Sequence, residues 1–225
     1  AHHGKITFKD WISKLTASIL ALSSGITLGR EGPTVAVTSG FGSSLGRMFR
    51  LSKQSVRSLV AVGSAGGIAA AFNTPIAAVT FTLEEVIGNL NAKSLGPIVI
   101  SSVAAAVTAK VFYGGETMFS GVKYTFEDPN ELIFYLAVGL LAGSLGPLWV
   151  RFILFLRKNS FKFFKGHKLS IIMFAFLLTY LCAWFFPYTL GSGHHLIHEA
   201  LLSKFSDWEF IAKLFFVKFL FTSIC

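Results

Sequence analysis

The chain has 225 residues, of which 53% are hydrophobic and only 14% charged, with a mean hydropathy of +0.64 and a net charge of +9. A soluble domain carries about 25% charged residues, so an ordinary soluble helical domain is excluded. The basic excess fits the bias of membrane proteins toward positive cytoplasmic loops better than it fits nucleic acid, and no nucleic-acid partner is expected.

In chain order, residues 11–28 read as a first spanning helix that carries one lysine, Lys14. A break follows at Gly29–Gly32, and Pro33 opens a second helix over roughly 33–49. After the basic linker RMFRLSKQSVR (47–57), a small-residue helix is expected over 55–71, with GSAGGIAAA at its centre. Asn73-Thr74-Pro75 breaks it, and a short helix runs to about Glu85. Proline is tolerated in a first helical turn because its missing N–H has no partner there. Pro33 and Pro75 therefore mark helix starts inside apolar stretches. Interrupted helices at membrane depth occur where backbone lines a cavity or is buried in protein, as in transporter ion sites.

Longer helices are expected near 95–113, 129–158, 167–186 and 207–225. Residues 132–150 and 169–191 contain no charge, and about 20 apolar residues span the hydrocarbon. The loop 114–131 holds four acids and one lysine, whereas 151–168 holds seven basic residues and no acid. Loop charge then places 151–168 in the cytoplasm and 114–131 outside. Counting back one helix puts Glu84, Glu85 and Lys93 on the cytoplasmic side. The fold class is all-α: a multi-pass integral membrane protein with broken helices. The two cysteines, Cys182 and Cys225, fall in apolar segments, with no disulfide framework and no metal spacing. The chain starts without Met in a polar stretch and stops inside an apolar one, with no signal peptide. Residues 1–225 thus read as a fragment of one transmembrane domain that lacks its N-terminal and C-terminal helices.

The acids inside or at the ends of apolar segments are Glu31, Glu84 and Glu85. An ionisable group at membrane depth costs at least ~2.5–3.5 kcal/mol, so such residues face a watery path or a partner. Glu31 stands at the break before Pro33, where a helix N-terminus offers free N–H groups and about half a positive charge. That is an anion site. Gly29 and Gly32 let backbone approach an ion, and Arg30 adds positive potential. The Glu31 carboxylate is then a tethered competitor for an anion, able to leave when protonated. A buried Arg30–Glu31 ion pair capping the helix is the alternative.

GREGP (29–33) resembles the signature of the ClC chloride channels and chloride/proton antiporters. GSAGGIAAAFNTPIAAVTFTLEEV (63–86) is similar to a second stretch of that family, with matching order and spacing. GSGHHLIHEAL (191–201) resembles, more weakly, a glycine-rich loop before a late helix. Ala78 stands where the family often has glycine. The resemblance implies part of an inverted-repeat ClC architecture and a function in chloride transport, most directly chloride/proton exchange. It implies that Glu31 is the external gate and outer proton acceptor, and that backbone of Arg30, Glu31 and Gly32 binds the anion. Glu85 matches the inner proton-transfer glutamate, which many channel members replace with an apolar residue. Gly29, Pro33, Asn73 and Pro75 shape the helix breaks. A homodimer in the lipid bilayer is implied, joined through helices near 75–85 and 95–113, with a plasma or bacterial inner membrane as its place. No cofactor is implied beyond the transported chloride and proton. The serine loop and tyrosine that complete the family's central anion site fall before residue 1 and after residue 225.

A passive chloride channel is the runner-up. Glu84 reads as a structural acid, because a helix turns ~100° per residue and both glutamates cannot face one path. His194, His195 and His198 have the spacing of a zinc set, but a solvated loop is expected there and no metal. An intramembrane protease would need a nucleophile such as Ser64 beside a base. All six histidines are expected in loops, so no enzyme is predicted, and another kind of polytopic membrane protein does not explain acids at helix breaks.

Overall fold

The computed structural model describes residues 6–88, 92–114, 128–202 and 207–224, and among them every regular element is helical. The chain divides into two compact units: residues 1–24 with 29–120, and residues 25–28 with 121–225. Among the described residues four helices are long and apolar enough to cross a membrane: Lys53–Phe72, Ser94–Tyr113, Glu131–Phe163 and Lys168–Phe185.

In the first unit, α1 is Phe8–Ser23, α2 Glu31–Met48, α3 Lys53–Phe72, α4 Pro75–Phe81 and α5 Ala92–Tyr113. The expected helix 11–28 is thus displaced toward the N-terminus. Asp10 accepts the Thr7 N–H at 3.0 Å, a first-turn cap that starts α1 early. Gly25 at φ +81° ends it, because a left-handed residue cannot continue the helix. Helix α2 likewise begins at Glu31 instead of Pro33. A proline at the third position still lies within the turn whose N–H groups have no intrahelical acceptor. Helix α3 starts where Ser52 Oγ accepts the Ser55 N–H at 3.2 Å, and ends on Asn73 in the left-handed conformation.

Helices α2 and α3 form an antiparallel hairpin that packs backbone against backbone. A Cβ on Gly42 would strike the Leu59 carbonyl, and one on Gly63 would strike the Thr38 carbonyl. Ser39 Oγ and Ser64 Oγ lie 2.7 Å apart in the buried seam. On the other side of α3, Ser101 of α5 donates to the Val62 carbonyl at 2.9 Å. Trp11 of α1 donates to Ser44 of α2 at 3.0 Å. The core combines alanines, Ala61, Ala65 and Ala69 of α3 with Ala78 and Ala106, with the larger Ile68, Leu83 and Ile98. Lipid is as apolar as leucine, so close packing rather than expulsion of water holds such helices together.

In the second unit, α6 is Glu131–Phe163, α7 Lys168–Phe185, α8 His194–Leu201 and α9 Trp208–Ile224. At 33 residues, α6 is about 50 Å long, against a hydrocarbon core of about 30 Å. It therefore carries Arg157, Lys158 and Lys162 well past the apolar layer. Trp149 of α6 donates to Ser223 of α9 at 2.9 Å, and Phe219 stacks between Trp149 and Phe152. His194, His195 and His198 lie on α8, which corrects the expectation of a loop. Gly193 at φ +85° turns the chain into that helix, and H-H-L-I-H-E-A-L has apolar residues on one side only.

Candidate functional site

The break before α2 is built from one turn of backbone and one carboxylate. From Gly25 the chain passes through Ile26 and Thr27, which are 5% and 2% exposed. The Leu28 N–H closes on the Ile26 carbonyl at 2.8 Å. Gly29 and Arg30 follow, both exposed, and Glu31 opens α2 half-buried. The Glu31 side chain bends back toward the helix start: a Cβ on Gly29 would collide with Glu31 Oε2. Gly29 is therefore needed for the room it leaves to the carboxylate. The acid occupies the region in front of the helix N-terminus, where the dipole favours negative charge. Pro33 contributes no N–H, so Arg30, Glu31 and Gly32 carry the amides of that end. The Thr34 N–H is already used on the Arg30 carbonyl at 3.0 Å. Arg30 is exposed at this turn, beside the half-buried Glu31.

Glu84 and Glu85 sit on a feature that sequence periodicity did not announce. After α4 the chain widens into a π-helix over Thr82–Ile87, closed by Gly88 at φ +71°, whose N–H reaches the Leu83 carbonyl five residues back at 3.0 Å. Thr82 and Leu83 are buried, while Glu84 and Glu85 are both exposed. Widened turns of this kind are rare and concentrate at functional sites.

Packing register relates the two acids. Gly63 faces Thr38 and Gly67 faces Val35, which carries Glu31 to the level of Ala71 on α3. Leu83 belongs to the same buried cluster as Ala61 and Ala65, so the π turn that carries Glu85 packs with the middle of α3, away from the level of Glu31. The break Asn73–Pro75 falls at the same end as Gly29–Glu31. The Asn73 carboxamide oxygen is buried there without a hydrogen-bond partner.

The other sequence candidates resolve differently. Ser64 is engaged by Ser39 Oγ and by the Val60 carbonyl, which it reaches at 2.9 Å, so it is a packing hydroxyl. Among the described residues no three or more His, Cys, Asp or Glu side chains converge on a metal. His195 instead stands 3.7 Å from Glu199 one turn on. Lys93 lies in the first turn of α5, and most of the acidic loop 114–131 lies outside the described residues. One cation that no motif singles out is Lys218 of α9, alone within LFFVKFLF. Its ammonium donates to the Gly191 carbonyl at 2.9 Å and to Leu190 at 3.4 Å. The signal was a charge in an apolar run.

Interrupted helices, four of them among the described residues long and apolar enough to cross a membrane, define a polytopic membrane protein. The whole chain, residues 1–225, matches the voltage gated chloride channel family, and the protein belongs to it. The chain is 32% identical over 188 residues to an H(+)/Cl(-) exchange transporter ClcA of Vibrio cholerae, covering 79% of this chain and 39% of that protein. It is 31% identical over 191 residues to the voltage-gated ClC-type chloride channel ClcB of Salmonella typhimurium, covering 84% of this chain and 45% of that one. The fold is similar to that of a slow cyanobacterial Cl-/H+ antiporter, with a TM-score of 0.85 and 23% identity over 99% of this chain and 54% of the other. The chain thus spans less than half the length of these curated relatives.

Proposed function

We propose that the intact protein exchanges chloride for protons across a membrane. Glu31 is the gate and outer proton acceptor, Glu85 the inner proton acceptor. The observation that carries this reading is the Glu31 carboxylate bent back in front of the α2 N-terminus, where it competes with an anion for the same amides. Protonation cancels its charge and removes its hold on the helix dipole, so chloride takes its place. One event then links proton uptake to anion entry. Glu85 extends the linkage inward: it is exposed on a widened turn that packs with the middle of α3, apart from the end where Glu31 sits. Water or further residues of the intact protein bridge the gap. A relative named as an exchange transporter supports proton coupling, and one named as a channel supports the passive alternative.

The test uses the full-length parent protein in liposomes under a chloride gradient, recording chloride and proton movement together. Exchange predicts uphill proton movement, abolished by Glu85→Ala while chloride still moves. Chloride movement without protons in either protein makes it a passive channel. No chloride movement at all overturns the transport reading.

A further inference from the structure

We propose that the far end of α6 binds the headgroup of an anionic phospholipid of the cytoplasmic leaflet, in a recess formed by Leu154, Arg157, Lys158, Phe161 and Lys162. The proposal stands on the second unit alone and does not depend on which ions the protein moves.

The recess is a stretch of one helix face. Residues three, four and seven positions apart lie on one side of a helix, and these five line a single shallow recess. Its chemistry changes along the axis. After the charge-free run 132–150 and Arg151, five apolar residues follow at 152–156, and Leu154 is 57% exposed among them. Arg157, Lys158 and Lys162 come next, all exposed, with Phe161 between them. Hydrocarbon therefore ends near Leu156, and the cations stand in the headgroup layer. A phospholipid has the same order, apolar chain and then anionic phosphate. The end of α6 is also fixed. The Gly166 N–H returns to the Phe161 carbonyl at 2.9 Å, and the Phe164 ring packs on Phe174 of α7 with centroids 5.4 Å apart.

The charges are not balanced within the protein. Segment 151–168 holds seven basic residues and no acid. Among the described residues none of Arg157, Lys158 and Lys162 is paired with an acid. Lys158 and Lys162 are like charges one turn apart, which weakens a helix. The helix dipole offsets cations in the last turn alone, and that turn holds Lys162 but neither Arg157 nor Lys158. The bias toward positive loops needs only a count of charges. It does not require cations set among exposed apolar side chains on one face. An anionic headgroup relieves the repulsion, and the cytoplasmic leaflet supplies such lipids. Phosphate suits the recess because arginine grips it bidentately and lysine attracts it as a point charge.

The experiment titrates the full-length parent, in neutral detergent, with phosphatidylglycerol or phosphatidylcholine labelled on an acyl chain, and reads fluorescence anisotropy. Phosphatidylglycerol is expected to bind at least about 10-fold more tightly, since each cation near the surface adds attraction. Arg157→Gln/Lys158→Gln/Lys162→Gln is expected to cancel that preference. Arg151, Lys165 and Lys168 remain in this variant, so the loop keeps its sign and the chain its orientation. Lys158→Arg/Lys162→Arg, which keeps every charge, retains the preference. A preference below about 10-fold in the parent, or one that survives the glutamine variant, overturns the proposal. Loss of preference in both variants alike also overturns it, because the shape of the recess and not its charge would then be at stake. Soluble glycerol phosphate at the lipid's own concentration is expected to leave the labelled lipid bound. Displacement would mean that the recess reads free phosphate, and it overturns the lipid as ligand. Should the glutamine variant not elute as a folded protein, the parent's preference is followed from about 0.05 to 0.5 M salt. A headgroup held by charge loses its advantage as salt screens it, and a preference that stays constant overturns the proposal.

Discussion

At the residue scale the site turns on how little space surrounds one carboxylate. Gly29 is where Glu31 Oε2 comes to rest, so a methyl group there competes with the carboxylate for its seat. Gly29→Ala is expected to push the carboxylate out and uncouple transport. A positioned group moved by about 1 Å can lose on the order of 10²-fold in rate. Uphill proton movement in liposomes should fall while chloride still passes, and full coupling in this variant would show that the observed seat is not the working one. Glu31→Gln keeps the shape and removes the ionisable group. Chloride movement should persist, with proton movement at the level of protein-free liposomes. Both glutamates and the glycines around Glu31 are legible in the sequence, because charge in an apolar run has few structural excuses. The bend of the carboxylate over Gly29 is not, since it depends on a side-chain torsion that no pattern encodes.

At the element scale two effects hold α2 to α3, and their magnitudes differ. The Ser39–Ser64 hydroxyl contact is worth about 0.6 kcal/mol, the mean for interhelical hydrogen bonds in membranes. The Gly63–Thr38 backbone approach is worth more, because an added methyl there meets a carbonyl that cannot move aside; overpacking of this kind costs about 1–3 kcal/mol. Gly63→Ala should therefore lower the melting temperature in detergent clearly more than Ser39→Ala. The reverse order would mean that the hairpin tolerates wider spacing. Small residues in GSAGG announced close packing, but their partners on α2 became known only from the register. The π turn was invisible for a related reason. TFTLEEVIG is compatible with an ordinary helix, and only the packing of Thr82 and Leu83 beneath it, with Gly88 to close it, selects the wider turn.

At the scale of the whole molecule, the outer faces of α4 and α5 are apolar and open. Ile76, Ile100 and Val107 are 81%, 71% and 55% exposed, while Ile98, Ser102 and Ala106 of α5 point inward. If the homodimer forms there, Ile100→Trp with Val107→Trp should shift the purified parent from dimer to monomer by light scattering. A dimer that persists would put the interface elsewhere. Among the described residues four α-helices are long and apolar enough to cross a membrane and five are not, consistent with spans that lean on neighbours instead of standing alone.

By itself the sequence determined the solvent, the helical class, the two breaks and the acids beside them. Each follows from local chemistry: the cost of charge in hydrocarbon, the missing N–H of proline and the freedom of glycine. Only the tertiary structure decided where α1 stops, that Glu84 and Glu85 ride a π turn, and that Lys218 reaches back to the loop bound to Gly25. Those depend on which helix faces meet, and partners 27 to 166 positions apart in the chain carry no mark of each other until they pack.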